Sequence, residues 1–81
     1  MAKYDPLRDE LVRVGSPRIV LSFSEIEQLV GTLPESARTY DWWWDNEDWR
    51  TTRHAQCKSW GAAGYEAKVD LQRQMVAFTR K

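Results

Sequence analysis

Leu7, Leu11 and Val14 recur at i, i+4 and i+7 near the start of the chain. That spacing puts them on one stripe of a helix. Asp5 is a capping residue type, and Pro6 suits the first helical position, where no N–H is needed. Gly15-Ser16-Pro17 stops the helix. Arg18-Ile19-Val20-Leu21 is a short β-branched run and predicts one strand. A second helix follows directly. Ser22 and Glu25 have capping-box spacing, Leu21 and Ile26 the spacing of a hydrophobic staple. Ile26, Leu29 and Val30 form its expected buried face, and Gly31 fits the residue just past its end.

A short third helix is expected over Leu33-Pro34-Glu35-Ser36-Ala37-Arg38, running into an aromatic cluster of undefined end. Asp45-Asn46-Glu47-Asp48 is polar enough to be a loop. The next helix should run from Thr51 or Thr52 through Ala62-Ala63, with Gly64 as its stop. On it Cys57, Trp60 and Gly61 share one side, and His54 and Lys58 another. Ala55, Ser59 and Ala62 are small and permit close approach to a neighbour. Beyond Gly64, Tyr65, Ala67, Val69 and Leu71 alternate with Glu66, Lys68 and Asp70, the period of a strand. Met75-Val76-Ala77-Phe78 answers them across Gln72-Arg73-Gln74.

The order helix, strand, helix, short helix, helix, β-hairpin predicts an α+β fold with a three-stranded antiparallel sheet. It is the order of a winged helix-turn-helix, in which the helix before the hairpin enters the DNA major groove. Residues 1–81 would form one such winged-helix-like domain, with Thr52–Ala63 as the groove helix. The insertion that carries the aromatic cluster is long for a minimal winged helix.

Composition sharpens the picture at one place. Trp42, Trp43, Trp44 and Trp49 are four of the five tryptophans, beside Asp41, Asp45, Glu47 and Asp48. Three consecutive rings cannot all face one core, because neighbours on a helix lie about 100° apart and those on a strand alternate. At least one must meet a second element, a partner or water. The single cysteine, Cys57, excludes an internal disulfide and a cysteine-only metal site. No apolar run approaches the ~20 residues that span a bilayer, and the N-terminus has no basic-then-apolar leader. The chain reads as soluble and cytoplasmic, without a membrane partner.

Charge is uneven although the formal net charge is zero. Ten acids face five bases through Asp48, and seven bases face two acids after it. Such asymmetry is a hint of nucleic-acid contact. Zero total charge argues against tight non-specific DNA binding, which depends on phosphate neutralisation.

Little chemistry beyond binding is signalled. His54 and Cys57 are too few for zinc without two carboxylates. A mid-helix thiol is a poor nucleophile, since activated thiols sit at helix N-termini or in electropositive pockets. No glycine pattern cradles a nucleotide phosphate. No catalytic residue, metal or cofactor is therefore expected. Arg50, Thr51, Thr52, Arg53, His54, Gln56 and Lys58 cluster at the start of the groove helix. Arg, Gln and Lys are the side chains that read guanine, adenine and phosphate, and hydroxyls at a helix N-terminus suit phosphate. Arg73 on the hairpin would contact phosphate, with Lys68, Arg80 and Lys81 as further wing cations. An ordinary solvated helix face accounts for the same residues.

Two functions follow. One is a small non-catalytic module for double-stranded DNA, contacting through Arg50, Thr51, Arg53, His54, Gln56, Lys58 and Arg73. The other is a protein-binding module, such as an inhibitor of a host or defence protein, using Trp42, Trp43, Trp44 and Trp49 in segment 40–49. Either is compatible with a monomer or a homodimer. The first requires the basic residues after Arg50 to share one face, the second an exposed ring in the cluster.

The chain also resembles an uncharacterised family of small bacterial and phage domains over nearly its whole length. The matching pieces are Tyr4-Asp5-Pro6-Leu7, Leu21-Ser22-Phe23-Ser24-Glu25-Ile26-Glu27 and Leu33-Pro34-Glu35-Ser36-Ala37-Arg38. They continue through Trp43-Trp44-Asp45-Asn46, His54-Ala55-Gln56, Trp60, Ala63-Gly64-Tyr65 and Val69-Asp70-Leu71. Family members look like stand-alone proteins or appendages to nuclease-type enzymes, which implies a binding module with a protein of that kind as a partner. The chain departs from the family pattern at Cys57, where Ala is expected, and at Gly61, where Leu is expected. Gly61 costs about 1 kcal/mol of helix stability relative to Ala and would make room for a tryptophan.

Overall fold

A computed structural model describes residues 3–81. Helix α1 (Asp5–Val14) leads into strand β1 (Arg18–Ser22) and helix α2 (Phe23–Val30). A short α3 (Glu35–Thr39) and a 3₁₀ turn (Asp41–Trp44) follow. Helix α4 (Ala55–Ala62) and the hairpin β2 (Tyr65–Asp70) and β3 (Met75–Arg80) complete the fold. The three antiparallel strands lie in the order β1-β3-β2, so β3 is central. Ile19 pairs with Phe78 and Ala67 with Phe78 across it.

Local signals set most boundaries. Ser22 accepts from Glu25 N–H at 3.0 Å and the Glu25 carboxylate accepts from Ser22 N–H at 3.0 Å, closing the capping box. Gly15 adopts φ +67°, and its N–H donates to Leu11 O. Glycine carries that left-handed conformation without a Cβ penalty. At the start of α1 the sequence expectation shifts by one residue. Tyr4 is the N-cap, so Asp5 is the first helical residue and Pro6 the second. Val14 is 40% exposed, because the helix ends before a third turn can be covered. Leu29 is only partly buried, and Phe23 takes its expected place on the core face of α2.

Helix α4 starts three residues later than the expected Thr52. Thr51 and Thr52 N–H both donate to Asp48 O, closing a turn that points away from a helix. His54 is the N-cap, in extended conformation, and its N–H is taken by the Thr52 hydroxyl at 3.1 Å. The helix ends at Ala62, and Gly64 turns the chain at φ +89°.

The core lies between the helices and the inner sheet face. Leu7 and Leu11 of α1, Phe23 and Ile26 of α2, Trp60 of α4, and Tyr65, Val76 and Phe78 of the sheet are all buried there. Trp44 enters between Phe23 and Trp60, with ring centroids at 5.6 and 5.7 Å and near-parallel planes. Tyr65 donates its hydroxyl to Ser16 O at 2.6 Å, and the Arg80 guanidinium lies over the Tyr65 ring. Glu27 joins α2 to α3. Its carboxylate takes the Arg38 guanidinium at 2.7 Å and Leu33 N–H at 2.9 Å, and these hold its pKa below the usual range.

One side chain pairs with the free edge of β2, at Ala67. Asn46 Oδ1 accepts Ala67 N–H at 2.7 Å, and Asn46 Nδ2 donates to Ala67 O at 2.8 Å. The same oxygen accepts the Trp60 indole N–H at 3.1 Å. Replacing Asn46 by Ala strands the buried indole donor and two backbone groups. We expect Asn46→Ala to cost about 2–3 kcal/mol, a large share of the ~3–5 kcal/mol typical of a domain this small. Urea midpoints of the two proteins test this; equal midpoints would show that water replaces the amide without loss.

Candidate functional site

The 3₁₀ turn distributes the tryptophans. Three residues per turn send successive side chains about 120° apart, so Trp42, Trp43 and Trp44 enter three environments. Trp44 lies in the core and donates its indole N–H to Ala37 O at 2.9 Å. Trp43 is buried, edge-on to Trp44 at 4.7 Å and to Tyr4 at 5.9 Å. Trp42 turns outward. It stacks on Tyr40 at 5.5 Å with planes 18° apart, and the two rings are 53% and 50% exposed.

Trp49, 36% exposed, packs on α4 at Gly61. A Cβ at Gly61 would lie 2.5 Å from Trp49 Cβ. The glycine thus makes room for a tryptophan, and that tryptophan is Trp49. The Arg50 guanidinium lies over the indole at 5.6 Å.

Loop 45–54 is fastened from inside. Glu47 N–H donates to Cys57 Sγ at 3.2 Å, and the thiol donates to Glu47 O at 3.4 Å. The Glu47 carboxylate accepts Thr52 Oγ1–H at 2.8 Å, and its other oxygen lies 2.7 Å from His54 Nδ1, which places the proton on that nitrogen. The Thr52 hydroxyl, followed by His54, holds the Glu47 pKa down. Burial pushes the Cys57 thiol up. His54 therefore faces Glu47 rather than Cys57, and the thiol serves as a loop anchor.

The expected DNA-contact residues divide. Gln56 turns inward, its Nε2 donating to Trp43 O at 3.3 Å. Thr52 is buried, and Thr51 Oγ1 reaches Asp48 O at 3.4 Å. Arg53, His54 and Lys58 stay exposed, but only Lys58 lies within α4; Thr51 and Arg53 precede its N-cap, His54. Arg50 and Lys58 line a groove between α1 and α4 together with Arg8. Arg73 and Lys68 line a separate depression on the outer sheet face with Arg18 and Asp41. Sequence reasoning missed Arg8, which the helical pattern marks only as a polar position, and Tyr40, whose stacking on Trp42 depends on the turn type.

The chain's family is settled by a match over residues 4–81. The chain belongs to the family described as Domain of unknown function (DUF7662). No curated protein and no solved structure matches it. Among the described residues of this DUF7662 domain, no helix is long and apolar enough to cross a membrane, and no three His, Cys, Asp or Glu residues are grouped to hold a metal ion.

Two predictions follow from the packing. Gly61→Ala gains about 1 kcal/mol of helix propensity, but overpacking against Trp49 costs about 1–3 kcal/mol. The substitution should destabilise the native chain and stabilise a Trp49→Gly background, which alone removes the Cβ that a Gly61 side chain would meet at 2.5 Å; the same sign in both, by thermal melts, would refute the contact. The second concerns acid. Because the folded-state pKa of Glu47 is lowered, its contribution is complete above the unfolded carboxylate value of about 4.3 and fades as pH falls through the folded value. Glu47→Gln should therefore be less stable than the parent at neutral pH, with the gap closing in acid. A pH-independent gap would show that the carboxylate's charge is not involved.

Proposed function

We propose that this domain is a non-catalytic recognition module that captures a protein partner through Tyr40 and Trp42. The observation that carries the reading is the stacked pair itself. Two large rings stand half exposed on a 3₁₀ turn whose other two tryptophans are buried. Rigid aromatic anchors form the centre of interface hot spots. Asp41 lies between the two rings in sequence and Asp45 follows, both exposed. A cationic side chain from a partner, arginine above all, satisfies the ring faces and the carboxylates together. Asp41 also borders the outer sheet face, where Val20, Met75 and Ala77 offer apolar area for the rest of an interface.

Duplex DNA is the second reading, favoured by the topology. The β1-β3-β2 sheet and the helix-strand-helix-helix order before the hairpin support a winged helix-turn-helix reading, in which α4 would be the groove helix and 71–74 the wing. Arg53 and Lys58 are exposed for that role. It is the weaker reading because Gln56 and Thr52 are engaged internally, and because Arg73 lines a different depression from Lys58.

A photo-crosslinking residue at position 42, compared with one at exposed Glu66, separates partner capture from background. The captured protein, made recombinantly, should bind Trp42→Ala at least about tenfold more weakly, ~1.4 kcal/mol, with circular dichroism unchanged. Capture of a second copy of the chain would make the module a homodimer. No excess at position 42 ends the protein reading. Salt-dependent binding of a random duplex, weakened by Arg53→Ala and Lys58→Ala but not by Trp42→Ala, would then favour DNA.

A further inference from the structure

Arg8, Arg50 and Lys58 come from three separate segments and meet at one groove of about 340 Å³ between α1 and α4. That volume falls in the range of small-ligand sites. On the α4 side it is lined by the small residues Ala55, Ser59 and Ala62. Trp49 forms one wall, and its position depends on the missing side chain of Gly61. The Arg50 guanidinium lies across that indole.

The groove has cationic surplus. Neither Arg50 nor Lys58 forms an ion pair among the described residues. Arg8 is held by Asp5 at 3.6 Å and by Asp9 at 3.0 Å, so the surplus is Arg50 and Lys58. A tetrahedral phosphate accepts from several directions at once and suits the Lys58 ammonium with the Arg50 guanidinium beside it. The indole face and the guanidinium plane are surfaces on which a base stacks.

We propose that the α1–α4 groove binds a nucleoside phosphate, with the phosphate on Lys58 and the base against Trp49 and Arg50. The site shares no residue with the Tyr40–Trp42 surface. It shares Arg50 and Lys58 with the duplex reading but needs neither a groove helix nor a wing. The source of the phosphate is a free nucleotide or a single-stranded nucleic acid.

Amide and indole NMR shifts of the full chain test this with four probes: adenosine 5′-monophosphate, adenosine, inorganic phosphate and a short single-stranded oligonucleotide. The monophosphate should saturate shifts at the Trp49 indole N–H and the amides around Lys58. Adenosine and phosphate should each bind at least about tenfold more weakly, about 1.4 kcal/mol. Lys58→Glu, an exposed change, should abolish binding in a folded protein, whereas Arg73→Ala and Trp42→Ala should leave it intact. Saturation by the oligonucleotide through the same residues also supports the site and assigns its source to nucleic acid. No saturable shift with either nucleotide probe, or equal binding by folded Lys58→Glu, overturns the proposal. Phosphate binding as tightly as the monophosphate overturns the nucleoside assignment.

Discussion

The side-chain amide of Asn46 is the contact on which the arrangement of this domain depends. It presents a donor and an acceptor to the free edge of β2, as another strand would, and it also holds the Trp60 indole. Only an amide side chain offers both kinds of group at that spacing; an aspartate in its place accepts but cannot donate. An unpaired edge is a template for unwanted pairing, so the amide protects the sheet while it fixes the loop. Asn46 lies two residues past Trp44, so its amide anchors the chain just beyond the 3₁₀ turn. Trp44 is delivered between Phe23 and Trp60, Trp43 goes to the Tyr4 side, and the third ring has nowhere to go but outward.

What could be read from the chain and what could not divides along the range of the interactions. Ser22 and Glu25 announce the start of α2 because both halves of their box are three residues apart. The alternation from Tyr65 to Asp70 is equally local, and it reports the buried and exposed faces of β2 correctly at Tyr65, Ala67, Glu66 and Lys68. The small α+β class with its three-stranded antiparallel sheet was readable for that reason. The start of α4 was not. Its N-terminus is decided by Asp48 O, the Glu47 carboxylate and the Thr52 hydroxyl acting together, and no short pattern encodes that triangle. Gln56 looked like a base-reading side chain for the same reason: its acceptor, Trp43 O, lies thirteen residues back. That at least one ring of the cluster must meet a second element, a partner or water followed from helix and strand geometry. Which ring leaves depended on a 3₁₀ turn that apolar periodicity does not reveal.

The charge asymmetry of the two halves also changes meaning on folding. The surplus bases after Asp48 do not gather with one another. Arg50 and Lys58 meet Arg8 from the acidic half, whereas Lys68 and Arg73 meet Arg18 and Asp41 on the outer sheet face. Folding thus interleaves the halves, and each depression draws cations from both. A single extended basic surface of the kind that tracks a duplex backbone requires more cations on one side than either depression has.

The exposed Tyr40–Trp42 pair could serve the fold instead of a partner, and energetics separates the two roles. A stacked pair contributes about 0.5–1.5 kcal/mol beyond its buried area, enough to stiffen the junction between α3 and the 3₁₀ turn. That junction, however, is already fixed by Tyr40 N–H on Ser36 O at 2.9 Å and Trp44 Nε1–H on Ala37 O at 2.9 Å. A domain of 81 residues has few large apolar side chains, and one selected for stability alone would bury them. Two half-exposed rings forgo burial worth about 25 cal/mol per Å². Because the backbone there is already held, the stack is not what fixes the junction, and that is the ground for the proposed partner surface.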